Sequence, residues 1–415
     1  MSTVRRGTTD YKKASIALFL AGFVTFANLY TTQPLFPEFS KVFGVSAVYA
    51  SLSLSFTTGI LAVSMLFAAP LSDVIGKKRL MVVSMVLAST LGLLTALSPN
   101  FSFLLMSRAL LGIFAAGVPS IAMAYVGEQF SLDSIGKIMG LYIAGTSIGG
   151  MAGRIFTGIL TDLFSWRVAL ASIGILSIFV SVLFWNLLPE PKRYSKPGMT
   201  IQEALSAYKI HLRSKELMAV ISLAFLLMGS FVTLYNYIGY LLEAPPYHLS
   251  QAAIGSIFIV YLSGTFSSVF MGKQADKYGN KPMLLASLAI TASGALLTLL
   301  PSLAAILAGI VIFTFGFFAS HSIASAWVGE LAKQYKAQAS SLYLLFYYLG
   351  SSFVGFGGGY FWQYFHWPGV ILLIIVLLLI GVPLVLFAGR KQAAVSGGNI
   401  HQQENRVSES VHENG

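Results

Sequence analysis

Residues 69–79 read Ala-Pro-Leu-Ser-Asp-Val-Ile-Gly-Lys-Lys-Arg, and residues 272–281 read Gly-Lys-Gln-Ala-Asp-Lys-Tyr-Gly-Asn-Lys. In both stretches an aspartate is followed by a glycine and then by lysine, and the two aspartates, Asp73 and Asp276, lie 203 positions apart. Each stretch interrupts a long apolar sequence, so we expect a short polar loop between two buried segments. A loop of this kind that occurs twice indicates a duplicated chain.

The composition of the chain indicates the environment of those buried segments. Of its 415 residues, 56% are hydrophobic and 10% are charged, whereas a soluble domain has about 25% charged residues. The sequence therefore predicts an all-α integral membrane protein. The chain has no cysteine, which excludes disulfides, cysteine-bound metal sites and thiol nucleophiles.

Twelve apolar segments have about the 20 residues that a helix needs to cross a membrane. Charged residues, prolines and glycine clusters separate them. Their approximate limits are 14–36, 48–70, 79–98, 102–126, 137–161, 167–188, 217–242, 252–272, 282–300, 302–327, 338–361 and 367–389.

The basic residues predict the orientation of these spans. Of the 26 lysines and arginines, we assign 22 to the termini and the even-numbered loops, two (Lys41, Arg167) to the opposite side, and two (Arg108, Arg154) to the spans. Because loops rich in Lys and Arg stay in the cytoplasm, we expect both termini there, in a bacterial-type inner or plasma membrane. The net charge of +11 suits contact with an anionic lipid bilayer, and we expect no nucleic-acid partner.

Further repeats accompany the two loops. Residues 23–25 and 231–233 both read Phe-Val-Thr, and residues 124–128 (Ala-Tyr-Val-Gly-Glu) match residues 326–330 (Ala-Trp-Val-Gly-Glu). Matches in order at nearly constant separation predict two pseudo-symmetric six-helix halves in parallel orientation. The predicted parts are a cytoplasmic N-terminal segment (1–13), the N-terminal half (14–188), a cytoplasmic linker with an amphipathic helix (189–216), the C-terminal half (217–389) and a disordered cytoplasmic tail (390–415).

The two loops resemble the G-x-x-x-D-x-x-G-[RK] motif that marks each half of the twelve-helix transporters of the major facilitator superfamily. In this chain Ala69 takes the place of the leading glycine in the first copy, and Asn280 displaces a basic residue in the second. The sequence is similar over essentially all spans to the YnfM-like, efflux-permease branch. The resemblance implies a monomeric secondary transporter whose partners are protons and a small-molecule substrate, with no catalytic centre, metal or cofactor.

The aspartate, glycine and lysine of each loop form a predicted latch. A carboxylate at a helix end accepts hydrogen bonds in one arrangement of the two halves and loses them in another. Alternatively, these residues only cap helices and set the topology. The predicted gating residues are Asp73, Gly76, Lys77, Asp276, Gly279 and Lys281.

Two arginines inside spans are candidate coupling residues, because a charge in a membrane is costly. Arg108 begins Arg-Ala-Leu-Leu-Gly, similar to the R-x-x-x-G element of the family, and can alternatively reach the membrane surface. Arg154 follows residues 145–150, Gly-Thr-Ser-Ile-Gly-Gly, which resemble the G-P-x-x-G-G core of exporters or simply form a helix-packing face. Their partners stay open between an anionic solute, a carboxylate such as Asp162, and backbone carbonyls.

A histidine is the third candidate coupling residue. We assign none of the 15 acidic residues to the middle of a span, which leaves His321 of span 10 as the titratable neutral group at depth. Alternatively, neighbouring helices simply satisfy its hydrogen bonds.

Tyrosines and asparagines of spans 1, 5, 7 and 11 are predicted to line a solute site between the halves, near the midplane. A tyrosine in a span can instead face lipid or a neighbouring helix, whereas an amide must be satisfied inside the protein. The predicted substrate-binding residues are Asn28, Tyr30, Tyr142, Asn236, Tyr237, Tyr343 and Tyr347.

The expected function is proton-coupled export of small organic compounds by alternating access, of the drug or sugar efflux type. Two alternatives stay open: proton-coupled uptake of an anionic metabolite, favoured by Arg108 and Arg154, and a membrane sensor without transport. We expect no enzyme, because catalytic side chains do not cluster near one face. A pump driven by ATP would need a phosphate-binding loop of the G-x-x-x-x-G-K-[ST] type, which the sequence lacks.

Overall fold

The computed structural model describes Val4 and residues 7–191 and 201–389. In these residues the chain is helical, with one isolated β-bridge between Val4 and Phe130. Linker residues 192–200, the tail from residue 390 and the remainder of the N-terminal segment lie outside the described residues.

The helices of the N-terminal half run up and down from α1 to α8. Their bounds are Thr9–Tyr30 (α1), Phe36–Phe43 (α2), Ala47–Ile75 (α3), Lys77–Ala96 (α4), Phe101–Ala115 (α5), Gly117–Gln129 (α6), Leu132–Leu163 (α7) and Trp166–Leu187 (α8). Side-chain oxygens of Thr8, Ser46 and Asn100 accept N–H groups at the starts of α1, α3 and α5. α1 gives way to a 3₁₀ turn, Gln33–Leu35, because Pro34 and Pro37 have no N–H to continue a helix.

The C-terminal half follows a short linker helix and has the same plan. The bounds are Ile201–Arg213 (α9, the linker helix), Lys215–Glu243 (α10), Gln251–Ser256 (α11), Tyr261–Tyr278 (α12), Asn280–Leu297 (α13), Leu303–Leu331 (α14) and Lys336–Ala388 (α15). A 3₁₀ turn, Ile257–Val260, joins α11 to α12. The linker helix lies against α10 and α15, and His211 contacts the Tyr335 carbonyl oxygen at 3.1 Å.

These helices provide the twelve predicted spans. By length and composition, nine helical stretches of the described residues can cross a membrane. The longest, α15, contains two spans, because His366 (φ 52°, ψ −149°) breaks it, and α7 and α13 supply the other two. The fourth span, predicted as one helix, is divided at Ala116, since Pro119 cannot donate to the carbonyl one turn earlier.

Glycines place α7 directly against α1. A Cβ at Gly149 would overlap the carbonyl oxygen of Phe23, so any larger residue would push the two backbones apart. The same contact recurs in the other half, where a Cβ at Gly350 of α15 would overlap the carbonyl oxygen of Phe225 in α10. Gly149 and Gly350 are 201 positions apart, close to the offset of the sequence repeat, and each packs on the first long helix of its own half, as expected of two pseudo-symmetric halves.

The glycine-rich residues 145–150 lie in the middle of α7. Gly145, like Gly149, packs on the α1 backbone, as expected of a helix-packing face. The same residues formally match the G-x-S-x-G pattern of hydrolases. The hydrolase pattern requires a sharp turn between a strand and a helix, and Ser147 instead belongs to a continuous helix.

The two ends of the bundle differ in how the halves meet. The linker end carries the turns at Gly76 and Gly279, and the far end is the opposite one. At the far end Lys41 Nζ lies 2.6 Å from Glu243 Oε1, across the two halves. There too the N–H groups that begin α11 donate to the Asp162 carboxylate of α7 at 3.0 and 2.9 Å. The halves are therefore joined at the far end.

Candidate functional site

Arg154 of α7 is a buried cation between the two halves, only 2% exposed. Its Nε donates to Gln33 Oε1 at 2.8 Å, and its Nη1 donates to the carbonyl oxygen one turn earlier in α7 at 2.7 Å. Three rings surround Cζ: Tyr30 at 4.0 Å from the N-terminal half, and Phe258 and Tyr261 at 4.6 and 5.2 Å from the C-terminal half. The guanidinium thus lies in an aromatic box that both halves build.

A chain of amides continues from this box across the interface. Gln33 Nε2 donates to Asn236 Oδ1 at 2.8 Å, and Asn236 Nδ2 donates to the Gly355 carbonyl oxygen at 3.4 Å. Tyr237 donates to the same carbonyl at 2.8 Å. Since buried amides must find partners inside a membrane protein, this chain fixes the relative position of the halves at this level.

An aromatic wall extends from the box into the C-terminal half. The Tyr261 ring packs on Tyr235, Phe258 and Phe318, with centroids 5.4–5.6 Å apart. The hydroxyl of Tyr235 lies 2.6 Å from that of Thr314. In contrast, the buried Tyr261 hydroxyl has no hydrogen-bond partner among the described residues.

His321 of α14 lies with two of the predicted tyrosines of α15. Its Nδ1 is 2.9 Å from the Tyr343 hydroxyl, and its ring centroid is 4.6 Å from that of Tyr347. Tyr343 is buried, whereas His321 and Tyr347 are partly exposed. The structure therefore brings these three residues together.

Tyr142 of α7 belongs to the same interface from the N-terminal side. Tyr348 of α15 lies close enough to Tyr30 and Tyr142 for electrostatic interaction. The buried Tyr142 hydroxyl has no hydrogen-bond partner among the described residues. Tyr30 and Tyr142 thus lie near a tyrosine of the opposite half.

Arg108 and Asn28 lie apart from this cluster, inside the N-terminal half. Arg108 Nε donates to the Ser53 carbonyl oxygen at 3.0 Å, Nη1 to that of Asn28 at 2.8 Å, and Nη2 to that of Leu29. Because α1 ends at Tyr30, the carbonyls of residues 28 and 29 have no N–H partner within the helix, so Arg108 caps the negative end of α1.

The Asn28 side chain also points away from the predicted solute site. Its Nδ2 donates to Ser177 Oγ of α8 at 2.7 Å, and its Oδ1 contacts Gly92 of α4. Asn28 and Asn236 are repeat-related in sequence, but only Asn236 lies between the halves. The expectation that both line one cavity therefore does not hold for Asn28.

The predicted gating loops form polar contacts within each half. In the first half Lys77 Nζ lies 2.7 Å from Asp73 and 3.0 Å from Glu128. Burial alone lowers the pKa of Lys77, but the bonds to these carboxylates outweigh it and raise the pKa above 10.5. Lys77 therefore keeps its positive charge throughout the neutral pH range and loses it only as the pH rises through the raised pKa.

The second loop has a contact equivalent to that between Lys77 and Glu128, but its donor is an uncharged amide. Asn280, at the position equivalent to Lys77, donates to Glu330 at 2.7 Å. Asp276 is exposed and Lys281 is partly exposed. Gly76 and Gly279 have φ of 98° and 91°, a region that disfavours other residues, so both are required for their turns.

Three residues of the box were not predicted from the sequence. Gln33 stands directly before Pro34, and a polar residue at a proline break inside an apolar span was the available signal. Phe258 and Tyr261 carried no such signal, because the 3₁₀ turn that aims them at Arg154 is not visible as a pattern.

Solved structures share this architecture. The chain matches a bacterial homolog of the human lysosomal transporter Spinster, in an inward-facing and unoccupied conformation, with a TM-score of 0.77 and 15% identity, covering 92% of this chain and 97% of that one. It matches a mutant of the nucleoside transporter NupG with a TM-score of 0.71 and 13% identity, covering 90% and 98%. At these identities the likeness shows the fold alone.

Sequence comparisons identify the family, with relatives of much higher identity. The model of the Major Facilitator Superfamily matches residues 18–258 and 238–409. The uncharacterized MFS-type transporter YybF of Bacillus subtilis (strain 168) is 47% identical over 382 residues, which is 92% of this chain and 95% of YybF. The inner membrane transport protein YnfM of Escherichia coli (strain K12) is 43% identical over 385 residues, 92% of each.

Proposed function

Because the chain belongs to the major facilitator superfamily, and is thus a multi-pass membrane transporter and not an enzyme, we propose that it is a proton-driven antiporter. It exports small organic compounds of the drug or sugar efflux type by alternating access, as a monomer in a bacterial-type inner or plasma membrane. The main support for the proposal is the polar and aromatic interface around Arg154 and Gln33, which both halves build. This interface lies on the linker side of the Lys41–Glu243 contact that joins the halves at the far end. Such an interface is where a transporter of two parallel repeats binds its solute.

In this proposal the solute contacts groups from both halves. Tyr30 and Tyr142 contribute from the N-terminal half, and Tyr343 and Tyr347 from the C-terminal half. Asn236 and Tyr237 both donate hydrogen bonds to the Gly355 carbonyl oxygen and thereby stabilise α10 against α15 beside the solute. A solute that binds one arrangement of the halves more tightly than the other shifts the equilibrium between them, and this shift changes the side from which the site is accessible.

His321 is the proposed proton carrier. Its position between Tyr343 and Tyr347 lets a change of charge alter the packing of α14 against α15. The named carboxylates that pair with lysines, such as Asp73 and Glu243, lie at the ends of the bundle, which leaves this imidazole as the titratable group beside the interface.

The test uses a solute found by comparing metabolite export and growth inhibition in deletion and overexpressing strains. Flux of that solute is then measured in proteoliposomes against an imposed pH gradient. His321→Gln is expected to remove the dependence on the gradient while leaving solute binding, and His211→Gln, in the linker helix, serves as the control. Gradient-driven flux that is unchanged in His321→Gln would eliminate this carrier.

The proposed orientation places both termini and the linker end in the cytoplasm. Single cysteines at Lys277, exposed near the linker end, and at Lys41, exposed at the far end, test it without background because the chain has no native cysteine. An impermeant thiol reagent applied to intact cells is expected to label position 41 only. Labelling of position 277 alone would reverse the orientation.

Uptake of an anionic solute is a second candidate, favoured by the charge of Arg154. No carboxylate of the described residues pairs with this buried guanidinium. Flux measured in both right-side-out and everted vesicles, with the pH gradient reversed between them, separates uptake from export.

A further inference from the structure

Within residues 7–191 and 201–389, no carboxylate neutralises the positive charge of Arg154. Asp162, the nearest candidate by sequence, uses both carboxylate oxygens on the N–H groups of Gln251 and Ala252. Glu243 is paired with Lys41. A buried cation without a counter-ion is costly in a membrane protein, so its retention at the interface calls for an explanation.

The contacts of Arg154 leave one edge of the guanidinium free. Nε and Nη1 have acceptors, and the rings of Tyr30, Phe258 and Tyr261 surround Cζ, whereas Nη2 has no hydrogen bond within the described part of the chain. The Tyr261 hydroxyl, a second unused donor, is buried in the same box. Two unused donors beside an unpaired cation form a site for an anion.

We propose that Arg154 and Tyr261 bind the carboxylate of the transported solute beside the Tyr30 ring, and that this solute is an aromatic monocarboxylate. The inference rests on the proposed transport function and names its substrate class, whatever the direction of transport. A carboxylate matches the planar donor edge of a guanidinium, and the surrounding rings suit a flat apolar body. One unpaired cation accounts for one negative charge, because the donors of Arg108 are occupied by three carbonyl groups.

The position of this site connects solute binding to the contact between the halves. Arg154 holds Gln33, and Gln33 donates to Asn236 of the opposite half. An anion at Nη2 draws the guanidinium toward itself and changes the geometry of that bridge. The solute thereby acts on the same hydrogen bonds that keep the halves together at this level.

The test measures binding to the purified full-length protein in detergent. The probes are benzoate, salicylate, phenylacetate and indole-3-acetate, each beside its neutral amide, and affinity is read from the concentration dependence of the melting temperature. We expect acids to bind the wild type, their amides to bind at least about tenfold more weakly, and Arg154→Gln to lose at least about tenfold in affinity for acids. Arg167→Gln is the matched control, because Arg167 also lies over a ring, Trp166, at 4.2 Å, but at the far end.

Further variants keep the proposal falsifiable if Arg154→Gln does not fold. Arg154→Lys keeps the charge without the planar edge, and Tyr261→Phe removes only the unused hydroxyl, so each is expected to weaken acid binding several-fold. Binding of acids that is unchanged in all Arg154 and Tyr261 variants, equal binding of the amides, or no binding of any acid to the wild type would each overturn the proposal.

Binding and flux measurements together distinguish a wrong substrate class from a wrong transport function. Absence of acid binding together with gradient-driven flux of another solute would remove the substrate class and leave transport intact. Acid binding that depends on Arg154, with no flux of any bound acid in vesicles, would retain the site and contradict the transport function.

Discussion

Arg108 and Arg154 look alike in the sequence, since each is a lone arginine inside an apolar span, but their surroundings are opposite. Arg108 has three carbonyl acceptors inside one half. Arg154 has an amide, one carbonyl and three rings, drawn from both halves. These partners favour a structural role for Arg108 and are the reason we propose a functional role for Arg154.

The first prediction concerns the cap that Arg108 places on α1. Arg108→Gln removes the guanidinium donors from the carbonyl oxygens of Asn28 and Leu29, and the Asn28 oxygen keeps only a 3.4 Å bond from the Thr31 hydroxyl. A buried polar group left without a partner costs on the order of 1–3 kcal/mol. We expect a clear fall in the melting temperature of the detergent-purified protein and little change in solute affinity. Arg167→Gln removes a single bond to the Ser98 carbonyl at the far end and is expected to change the melting temperature much less.

Stability of the Arg108→Gln protein equal to that of the wild type would show that the bonds to α1 contribute nothing. Loss of solute affinity at unchanged stability would instead return Arg108 to the coupling role that the sequence predicted for it.

At this scale, the sequence could predict a residue's role only where that role depends on its immediate neighbours in the chain. An arginine or histidine in an apolar run can be picked out by its cost alone, and His321 and Arg154 were found in this way. Asn28 bonds to a helix of its own half, whereas Asn236 bonds to Gln33 of the opposite half. This difference depends on the packing of residues that are distant in the sequence.

At the scale of elements, the contact between α1 and α7 depends on the absence of a side chain. Gly149→Ala would place a Cβ against the carbonyl oxygen of Phe23, and backbone cannot move aside as a flexible side chain can. Overpacking of this kind costs about 1–3 kcal/mol. We expect a lower melting temperature and reduced flux.

Gly140→Ala is the matched control on the same helix. A Cβ at Gly140 would have nothing within 4 Å, and alanine favours a helix over glycine by up to about 1 kcal/mol. This variant is expected to be at least as stable as the wild type. Equal effects of the two substitutions would mean that the close approach of α7 to α1 is not what the glycine provides.

The two loops allow the latch to be tested against its alternative. Asp73→Asn removes one of the two carboxylates that contact Lys77, while Glu128 keeps the lysine paired. If the aspartate exchanges partners during the cycle, flux falls severalfold although insertion and melting temperature are nearly unchanged. Asp276→Asn, at an exposed position, is expected to act more mildly. Wild-type flux in both variants would leave only the capping and topological roles.

Helix boundaries show where sequence patterns stop being informative. Hydropathy alone predicted one continuous fourth span, but the chain divides it at Ala116 so that α6 can start before Pro119. The proline was visible, but whether it breaks or merely bends a helix is decided by the neighbours that satisfy the freed carbonyl groups. The split of α15 at His366 was predicted correctly, because aromatic and proline residues interrupt the apolar run there.

At the scale of the whole molecule, the repeat in the sequence predicted the architecture because duplication is a property of the chain itself. The packing of Gly149 on Phe23 and of Gly350 on Phe225 is the physical form of that repeat. The site departs from the symmetry, since Arg154 of α7 corresponds by the repeat offset to Gly355 of α15. In the proposed mechanism, this asymmetric site provides one solute position between the two halves, and the symmetric repeat cannot indicate its chemistry.

The last prediction follows from the contacts at the far end. Alternating access requires Lys41 to leave Glu243 and the start of α11 to leave Asp162 whenever the solute site opens on that side. An exposed ion pair contributes only about 0–1 kcal/mol, so these contacts can break in every cycle. Cysteines at positions 41 and 243, joined by a short reducible thiol cross-linker, are therefore expected to stop flux, and reduction is expected to restore it. Cysteines at positions 98 and 167, joined in the same way, lie within one half at the same end and should leave flux intact. Continued flux through a protein cross-linked between 41 and 243 would mean that the far end does not open, and alternating access between these halves would have to be abandoned.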